Sequence, residues 1–270
     1  MDKLLLDRIM GQVTKPVRYM GNEYNMVEKN LEDVSIRFAF AFPDVYEVGM
    51  SHLGMKILYH LLNERADTYC ERVFAPWVDM EEKMRKMEIP LFSLETKTPI
   101  TKFDIVGFTL QYELSYTNIL NMLDLAGIPL LAEQRADEHP FVIVGGPCAY
   151  NAEPLAEFVD LVALGEGEEL ISELLDAYKE WKDSGKSRRV FLERAAQIPG
   201  VYVPSFYDVS YLEDGRVASV KPNTKVVQER VKKRIVRDMD QVYFPDRIIV
   251  PFMDIVHDRI MLELFRGCSR

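Results

Sequence analysis

Two pairs of glycines follow apolar runs in the sequence. Gly145 and Gly146 open the stretch "GGPCAYN", and Gly165 and Gly167 stand on either side of Glu166 in "LGEGEE". A glycine lets the backbone approach a bulky ligand closely, because it has no Cβ atom. Any one of these glycines could simply form a turn between a strand and a helix. The four together, after two apolar runs, favour a ligand-binding site.

The class of ligand is narrowed by the motifs that are missing. The sequence has no G-x-x-x-x-G-K-[ST] and no G-x-G-x-x-G, since Leu170 stands where the last glycine of the second pattern should be. Glu166 and Glu168, at the start of a predicted helix, would also repel a pyrophosphate. Glu168 and Glu169 are expected to cap that helix. An NAD-binding or nucleotide-binding enzyme is therefore disfavoured.

The residues that could bind a metal are few and far apart. His52, in "MSHLGMK", could coordinate a metal or a corrinoid, but a lone histidine at a helix start more often caps or packs. Cys70, Cys148 and Cys268 are an odd number at wide spacing, so we expect no disulfide framework and a cytoplasmic location. One thiolate cannot hold an iron–sulfur cluster, so Cys268 by itself is interpreted as a buried thiol.

The elements that position these residues alternate between strands and helices. Apolar runs predict strands at 34–42, 69–74, 103–110, 141–146 and 160–164. Helices are predicted at 51–65 with Ser51 as N-cap, at 76–88, at 115–126 ending at Gly127, and after Gly167. This pattern predicts an α/β fold, a Rossmann-like, doubly wound parallel sheet. Ligands of such sheets bind beyond the carboxyl ends of the strands, where the glycine motifs lie.

The predicted Rossmann-like domain covers 31–184, and three further segments surround it. Residues 1–30 are predicted to form a helix and a surface arm. Residues 185–245 are predicted to form a helix, a hairpin turning at Asp214-Gly215 and a linker, a small α+β segment. Residues 246–270 are rich in strand-forming residues and lead into Cys268. Shorter strands are also expected at 91–93 and 128–132.

Composition sets limits on the partners of the chain. The 270 residues are 48% hydrophobic, which suffices for a globular core. The formal net charge of -10 argues against non-specific nucleic-acid binding, because that needs a surplus of Lys and Arg. The first apolar run is three residues long and is followed by Asp7 and Arg8, so neither a secretion signal nor a membrane partner is expected.

The last residues resemble the start of a radical S-adenosylmethionine (radical SAM) barrel. There, E-x-x-R-G-C-S-R-G-C opens a C-x-x-x-C-x-x-C motif after the first barrel strand, and this sequence reads "ELFRGCSR". Upstream, "FPDVYEVGMSHLGMKILYHLLN", "VGGPCAYNAEPLAEFVD" and "LGEGEE" resemble the N-terminal half of uncharacterised radical SAM proteins that carry a cobalamin-binding-like domain. The resemblance spans nearly all of the chain.

The resemblance implies a cobalamin-binding-like Rossmann domain beside a partial TIM-type barrel, whose first strand would lie in 246–270. It implies an enzyme that cleaves S-adenosylmethionine to a 5′-deoxyadenosyl radical. Cys268 would be the first ligand of a 4Fe-4S cluster, with the remaining ligands absent from this chain. We therefore expect a truncated fragment that is not catalytically competent alone. Its expected partners are the remainder of the barrel and a substrate that the sequence does not identify.

The D-x-H-x-x-G motif that ligates cobalamin is absent from this sequence: Met50 and Met55 stand where Asp and Gly should flank His52. Either a corrinoid binds without a protein histidine, or the domain kept the fold and lost the ligand; the second is favoured. If a corrinoid binds, the resemblance and the strand-end rule together imply these contacts: Gly145, Gly146 and Pro147 under the ring, Thr109 and Gln111 near its edge, and Gly165, Glu166 and Gly167 along its tail.

A different class of function is also open. The same crevice could serve a stand-alone domain that senses a small molecule or binds a protein and never meets a cluster. The apolar run 248–265 separates the two hypotheses, because nothing else in the sequence is expected to bury it. A fragment predicts that this run is exposed, whereas a complete sensing domain predicts that it is packed.

Overall fold

A computed structural model describes residues 3–267, with side chains from residue 5 onward. The strands in this range are β1 Ile36–Phe42, β2 Thr68–Phe74, β3 Ile105–Thr109, β4 Phe141–Gly145, β5 Leu161–Ala163, β6 Val201–Tyr202, β7 Tyr207–Tyr211 and β8 Val217–Pro222. The α-helices in the same range are α1 Lys3–Met10, α2 Tyr46–Gly49, α3 Leu53–Glu64, α4 Val78–Lys86, α5 Tyr116–Ala126, α6 Gly167–Lys182 and α7 Arg188–Ala195.

The main sheet has six strands in the order β2-β1-β3-β4-β5-β6. The first five are parallel, and β6 runs antiparallel to β5. The predicted Rossmann-like α/β sheet is confirmed. Because β1 connects to β2 on one side and β3 connects to β4 on the other, the chain reverses its winding direction between β1 and β3, which opens a crevice at their carboxyl ends.

Alternate side chains of each strand pack on opposite faces of the sheet. On one face, Phe38 of β1 and Ile143 of β4 share a core with α3, α6 and α7. On the other face, Ala39 and Val142 share a core with α1, α4 and α5. Since both faces are covered, the strands have no solvent-facing positions, which explains their near-continuous apolar sequences.

The predicted helix ends are right at one position and wrong at another. Helix α5 ends at Gly127, which has φ 74°, in the left-handed region as predicted. Helix α3 begins after His52, and Ser51 is not its N-cap. The Ser51 hydroxyl donates instead to the carbonyl oxygen of Glu47 at 2.6 Å, which ties it to α2. The short helix α2 was missed because its four residues leave no periodic pattern.

Two short apolar runs are not strands, contrary to prediction. Residues 91–93 make only a single bridge, between Phe92 and Pro99. Their loop lies along the open edge of β2, where the amide of Leu94 donates to the carbonyl of Arg72 at 2.8 Å. Residues 128–132 pass into a 3-10 turn, and Ile128 is buried beside α5 without a strand partner.

The chain beyond 184 divides into a packed part and an open part. Strand β6 extends the main sheet at β5. Helix α7 packs on that sheet, and its Phe191 is fully buried in the core. The predicted hairpin is confirmed as β7 and β8, with Gly215 at φ 83° in its turn. Residues 226–240 contain neither an α-helix nor a strand.

The predicted first strand of a barrel is not formed by the described residues from 246 to 267. A strand needs a neighbour to receive its backbone hydrogen bonds, and in that range only Val250 bridges to another segment, at Tyr24. The apolar run 248–265 is packed at its start and exposed at its end: Ile249 is buried in the core and Met253 and Ile255 pack against it, whereas Ile260 is 91% and Leu264 is 83% exposed. The fragment hypothesis therefore stays a prediction.

Candidate functional site

The crevice at the carboxyl ends of β1 and β3 opens into a cavity of about 670 Å³. The cavity lies between the sheet and the helices α3 and α6, and its volume is within the usual range for small-molecule sites. The sequence-predicted pocket residues all line this one cavity, and they are Thr109, Gln111, Gly145, Gly146, Pro147, Gly165, Glu166 and Gly167. The topology therefore brings them together, while their binding of a corrinoid stays a prediction.

The inner wall of the cavity is apolar. It is formed by side chains of β1, β4 and the facing sides of α3 and α6, namely Phe38, Phe40, Ile57, Leu62, Ile143, Leu170 and Ile171. Gly107 on β3 contributes no side chain, and a Cβ there would lie 2.5 Å from the ring of Phe38. Such a wall favours a flat, apolar group over a charged one.

His52 stands at the polar rim with Thr109 and Gln111. Its Nδ1 accepts a hydrogen bond from the amide of Met55 at 3.3 Å, which confirms it as a helix cap. Burial lowers the pKa of His52, and a hydrogen bond with Gln111 opposes that shift only partly. The neutral ring that accepts at Nδ1 carries its proton on Nε2. That nitrogen therefore has no lone pair for a metal.

The glycines at the mouth have structural reasons of their own. Gly146 has φ 115°, and a Cβ there would lie 2.8 Å from the carbonyl oxygen of Leu110. Gly165 has φ 103°, and a Cβ there would lie 2.1 Å from the carbonyl oxygen of Arg234. Both positions need glycine because of the backbone conformation and a close chain approach. The turn interpretation therefore accounts for these glycines without a ligand.

The loops after β1 and β3 are tied across the switch point. The Tyr112 hydroxyl donates to a carboxylate oxygen of Asp44 at 2.5 Å, and the amide of Asn118 donates to the carbonyl of Pro43 at 2.9 Å. The hydrogen bond to Asp44, together with burial, raises the pKa of Tyr112 to about 12. Tyr112 therefore stays a neutral donor at physiological pH, and this side of the crevice is held in place.

The carboxylates at the start of α6 do not cap the helix, contrary to prediction. Glu166 occupies the N-cap position, and its side chain makes no capping hydrogen bond to the described first turn of α6. Glu168 accepts instead from Arg266 at 2.5 Å, and Glu169 lies 3.4 Å from Arg234. Two arginines that follow far later in the sequence take up these charges.

The sequence did not reveal the residues that close the mouth. Residues 233–235 and 263–267 contribute Lys233, Arg234, Ile235, Glu263, Arg266 and Gly267 to the lining. The available signal was charge complementarity, because "GEGEE" is acidic and the later stretch "VKKRIVR" is basic. Nothing in the spacing indicates that the two stretches meet.

Cys268, the predicted first cluster ligand, lies outside the described residues. Within residues 3–267, no group of three or more His, Cys, Asp or Glu side chains is arranged to hold a metal ion. In the same range, no helix combines the length and hydropathy needed to cross a bilayer.

Comparison with known proteins places the chain in a family. The family described as "Radical SAM proteins, N-terminal" matches residues 54–204. An uncharacterized protein of Methanocaldococcus jannaschii is 24% identical over 164 residues, which cover 57% of this chain and 31% of that protein. The chain thus spans about a third of the length of this curated relative. No solved structure matches. Because the family match covers more than half of the 270 residues, the chain belongs to the N-terminal family of radical SAM proteins.

Proposed function

We propose that this chain is the ligand-binding N-terminal module of a radical SAM enzyme. The observation that supports it most is the coincidence of the family match over 54–204 with a cavity at the sheet's switch point. In such an enzyme, an electron from a 4Fe-4S cluster cleaves S-adenosylmethionine into methionine and a 5′-deoxyadenosyl radical. The module's own part is to hold a small molecule next to that reaction, and alone it is not competent for the reaction.

Cys268 would be the first cluster ligand. The support is the sequence "ELFRGCSR", in which Glu263 and Arg266 precede the cysteine at the expected spacing. The test is to read the coding sequence beyond Arg270. Gly-Cys followed by another cysteine three residues later is the expected result. Anaerobic reconstitution of that protein with iron and sulfide, followed by S-adenosylmethionine and dithionite as the electron donor, should then produce methionine and 5′-deoxyadenosine. A stop codon directly after Arg270 would refute the cluster assignment.

A corrinoid is the candidate ligand that combines a flat apolar end with a polar body. A whole corrinoid is larger than the cavity, so only its nucleotide tail would enter between the sheet and α3 and α6. The ring would then lie at the mouth, over Gly145, Gly146 and Pro147, with Thr109 and Gln111 at its edge. His52 would not coordinate the metal, since its Nδ1 caps α3.

Titration with hydroxocobalamin tests this ligand. Binding predicts a change in the corrin absorption bands and a coloured chain after desalting. The spectrum should lack the signature of histidine coordination, because the helix cap occupies His52. An unchanged spectrum and a colourless desalted chain would refute corrinoid binding.

A second candidate function is a stand-alone small-molecule sensor. It is favoured by one observation, namely that the apolar run 248–265 is packed at its start, where Ile249 is buried in the core. The two functions predict different packing of residues 251–267. A sensor predicts that this segment is packed and protected from hydrogen exchange, whereas the enzyme module predicts rapid exchange.

A further inference from the structure

Arg266 brings the C-terminal segment to the mouth of the cavity. Its guanidinium donates to Glu168 at 2.5 Å and to both oxygens of Glu263 at 2.7 Å and 2.8 Å, and it lies 3.4 Å from Glu166. All four of these residues line the cavity. One cation therefore joins a carboxylate of its own segment to two carboxylates at the start of α6.

The contacts of Arg266 attach residues 258–267 to the rest of the chain. Among the described residues, every hydrogen bond or ion pair from 258–267 to the rest of the chain is made by Arg266. The apolar side chains beside it do not pack, since Phe265 is 77% exposed. Without Arg266, no hydrogen bond or ion pair of the described residues would hold 258–267 at the cavity.

The same acidic turn anchors a second segment. The backbone of Arg234 pairs with Gly165, and a carboxylate oxygen of Glu166 accepts from the amide of Val236. The Arg234 side chain reaches Glu173 at 2.5 Å. The turn before α6 is therefore an attachment point for two irregular segments that cross the mouth of the cavity, and Glu166 contacts both.

We propose that Arg266 is a positioning residue, which fastens residues 263–267 across the mouth of the cavity at the start of α6. The residue that follows Gly267 in the sequence is Cys268. Arg266 thereby sets where the chain leading to this cysteine lies relative to a ligand in the cavity. The importance of that position rests on the proposed function, whereas the attachment itself does not.

The ion pairs of Arg266 can open and close again, because they are partly exposed to solvent. Arg266 is 20% exposed, and its partners Glu168 and Glu263 are 12% and 24% exposed, so water and salt reach the pairs. Partly exposed ion pairs of this kind are individually weak. Three carboxylates surround one guanidinium, so loss of the cation leaves charges that repel one another. Replacement of Arg266 should therefore release the segment rather than merely loosen it.

A distance measurement between spin labels tests the proposal. One label is attached at Thr117→Cys, an exposed position on α5, and the other at Leu264→Cys in the segment. The chain also carries Cys148→Ser and Cys268→Ser, while Cys70 is fully buried and stays. We expect a narrow distance distribution in this chain. Adding Arg266→Gln should shift the distribution to longer distances and broaden it.

The matched control is Arg259→Gln. Arg259 lies in the same segment, is 87% exposed and pairs only with its neighbour Asp258 among the described residues. This control should leave the distribution unchanged, and Arg266→Lys should restore part of the narrow population. An unchanged distribution in Arg266→Gln, or equal broadening in Arg259→Gln, would overturn the proposal. The labels are read without any ligand, so a failed hydroxocobalamin titration would refute the corrinoid and leave this result standing.

Discussion

Two arginines in this molecule each face more than one glutamate, in opposite environments. Arg72 on β2 is 1% exposed and binds Glu23 at 2.7 Å and Glu95 at 2.7 Å. Arg266 is 20% exposed and binds carboxylates that water reaches. Both join segments distant in sequence. They differ in whether the joint can open under native conditions.

The buried cluster is part of the architecture. Glu23 belongs to the N-terminal arm and Glu95 to the loop beside β2, so Arg72 fixes both against the edge strand. Opening it would expose three desolvated charges to an apolar core. The cluster at the mouth carries no such penalty, since its groups stay partly hydrated. A cluster of the second kind suits a site that must admit a ligand.

The largest expected effect comes from breaking the buried cluster. Arg72→Met leaves Glu23 and Glu95 without their cation, and removing one partner of a buried pair costs about 3–5 kcal/mol. Urea unfolding of the variant measures this loss. The matched control is Arg85→Ala, whose side chain is 43% exposed and pairs with Glu81 and Asp124. It should cost about 1 kcal/mol or less. Equal losses in the two variants would erase the distinction between the clusters.

The positive charge of the buried Arg72 also affects the pKa of His60 on α3. Burial, together with the positive charge of Arg72, lowers the pKa of His60 to about 4, and its Nε2 has no hydrogen-bond partner among the residues that the structure describes. The unfolded chain, whose histidine has an ordinary pKa near 6.5, takes up the proton first as the pH falls. The free energy of unfolding should therefore decrease between about pH 6.5 and pH 4, by roughly 2–3 kcal/mol from this group.

His60→Gln isolates that contribution. Unfolding free energies measured across the same pH window should show a shallower slope in this variant than in the wild type. The control is His257→Gln, because the side chain of His257 is exposed. If His60→Gln and the wild type lose stability in parallel, the assigned pKa of His60 is wrong.

The smallest expected effect on stability comes from the cluster at the mouth. Arg266→Gln should change the free energy of unfolding by less than about 1 kcal/mol, because its pairs are partly hydrated. A salt concentration of about 1 M should broaden the distribution of distances between the two spin labels in the chain that keeps Arg266, since the screening length there is about 3 Å. The same salt should leave the Arg72 cluster intact. A loss of stability in Arg266→Gln as large as in Arg72→Met would contradict the comparison.

The sequence predicted the parts of the fold that depend on local burial. Strands β1 to β5 were found because both of their faces are covered, so that runs such as "FVIVGG" have no polar positions. The eight predicted pocket residues line one cavity because the carboxyl ends of parallel strands share an edge, while their role in binding stays a prediction. Strand β6 was missed because two residues give no pattern.

The mouth of the site could not be predicted in the same way. Arg266 and Glu168 are 98 positions apart, and their meeting depends on the path of a linker without regular structure. The caps expected from Glu168 and Glu169 failed for the same reason, since a distant arginine competed for each carboxylate. Local rules describe the helix start, and the long-range path decides its partners.

The most direct test of the central claim, that the cavity is a binding site, compares the wild type with Leu58→Trp. Leu58 lines the cavity from α3, and an indole there would fill space between the helix and the sheet. Native mass spectrometry after incubation with hydroxocobalamin should find one corrinoid on each wild-type chain and none on Leu58→Trp. Binding to both chains alike, or to neither, would contradict the claim that this cavity receives the ligand.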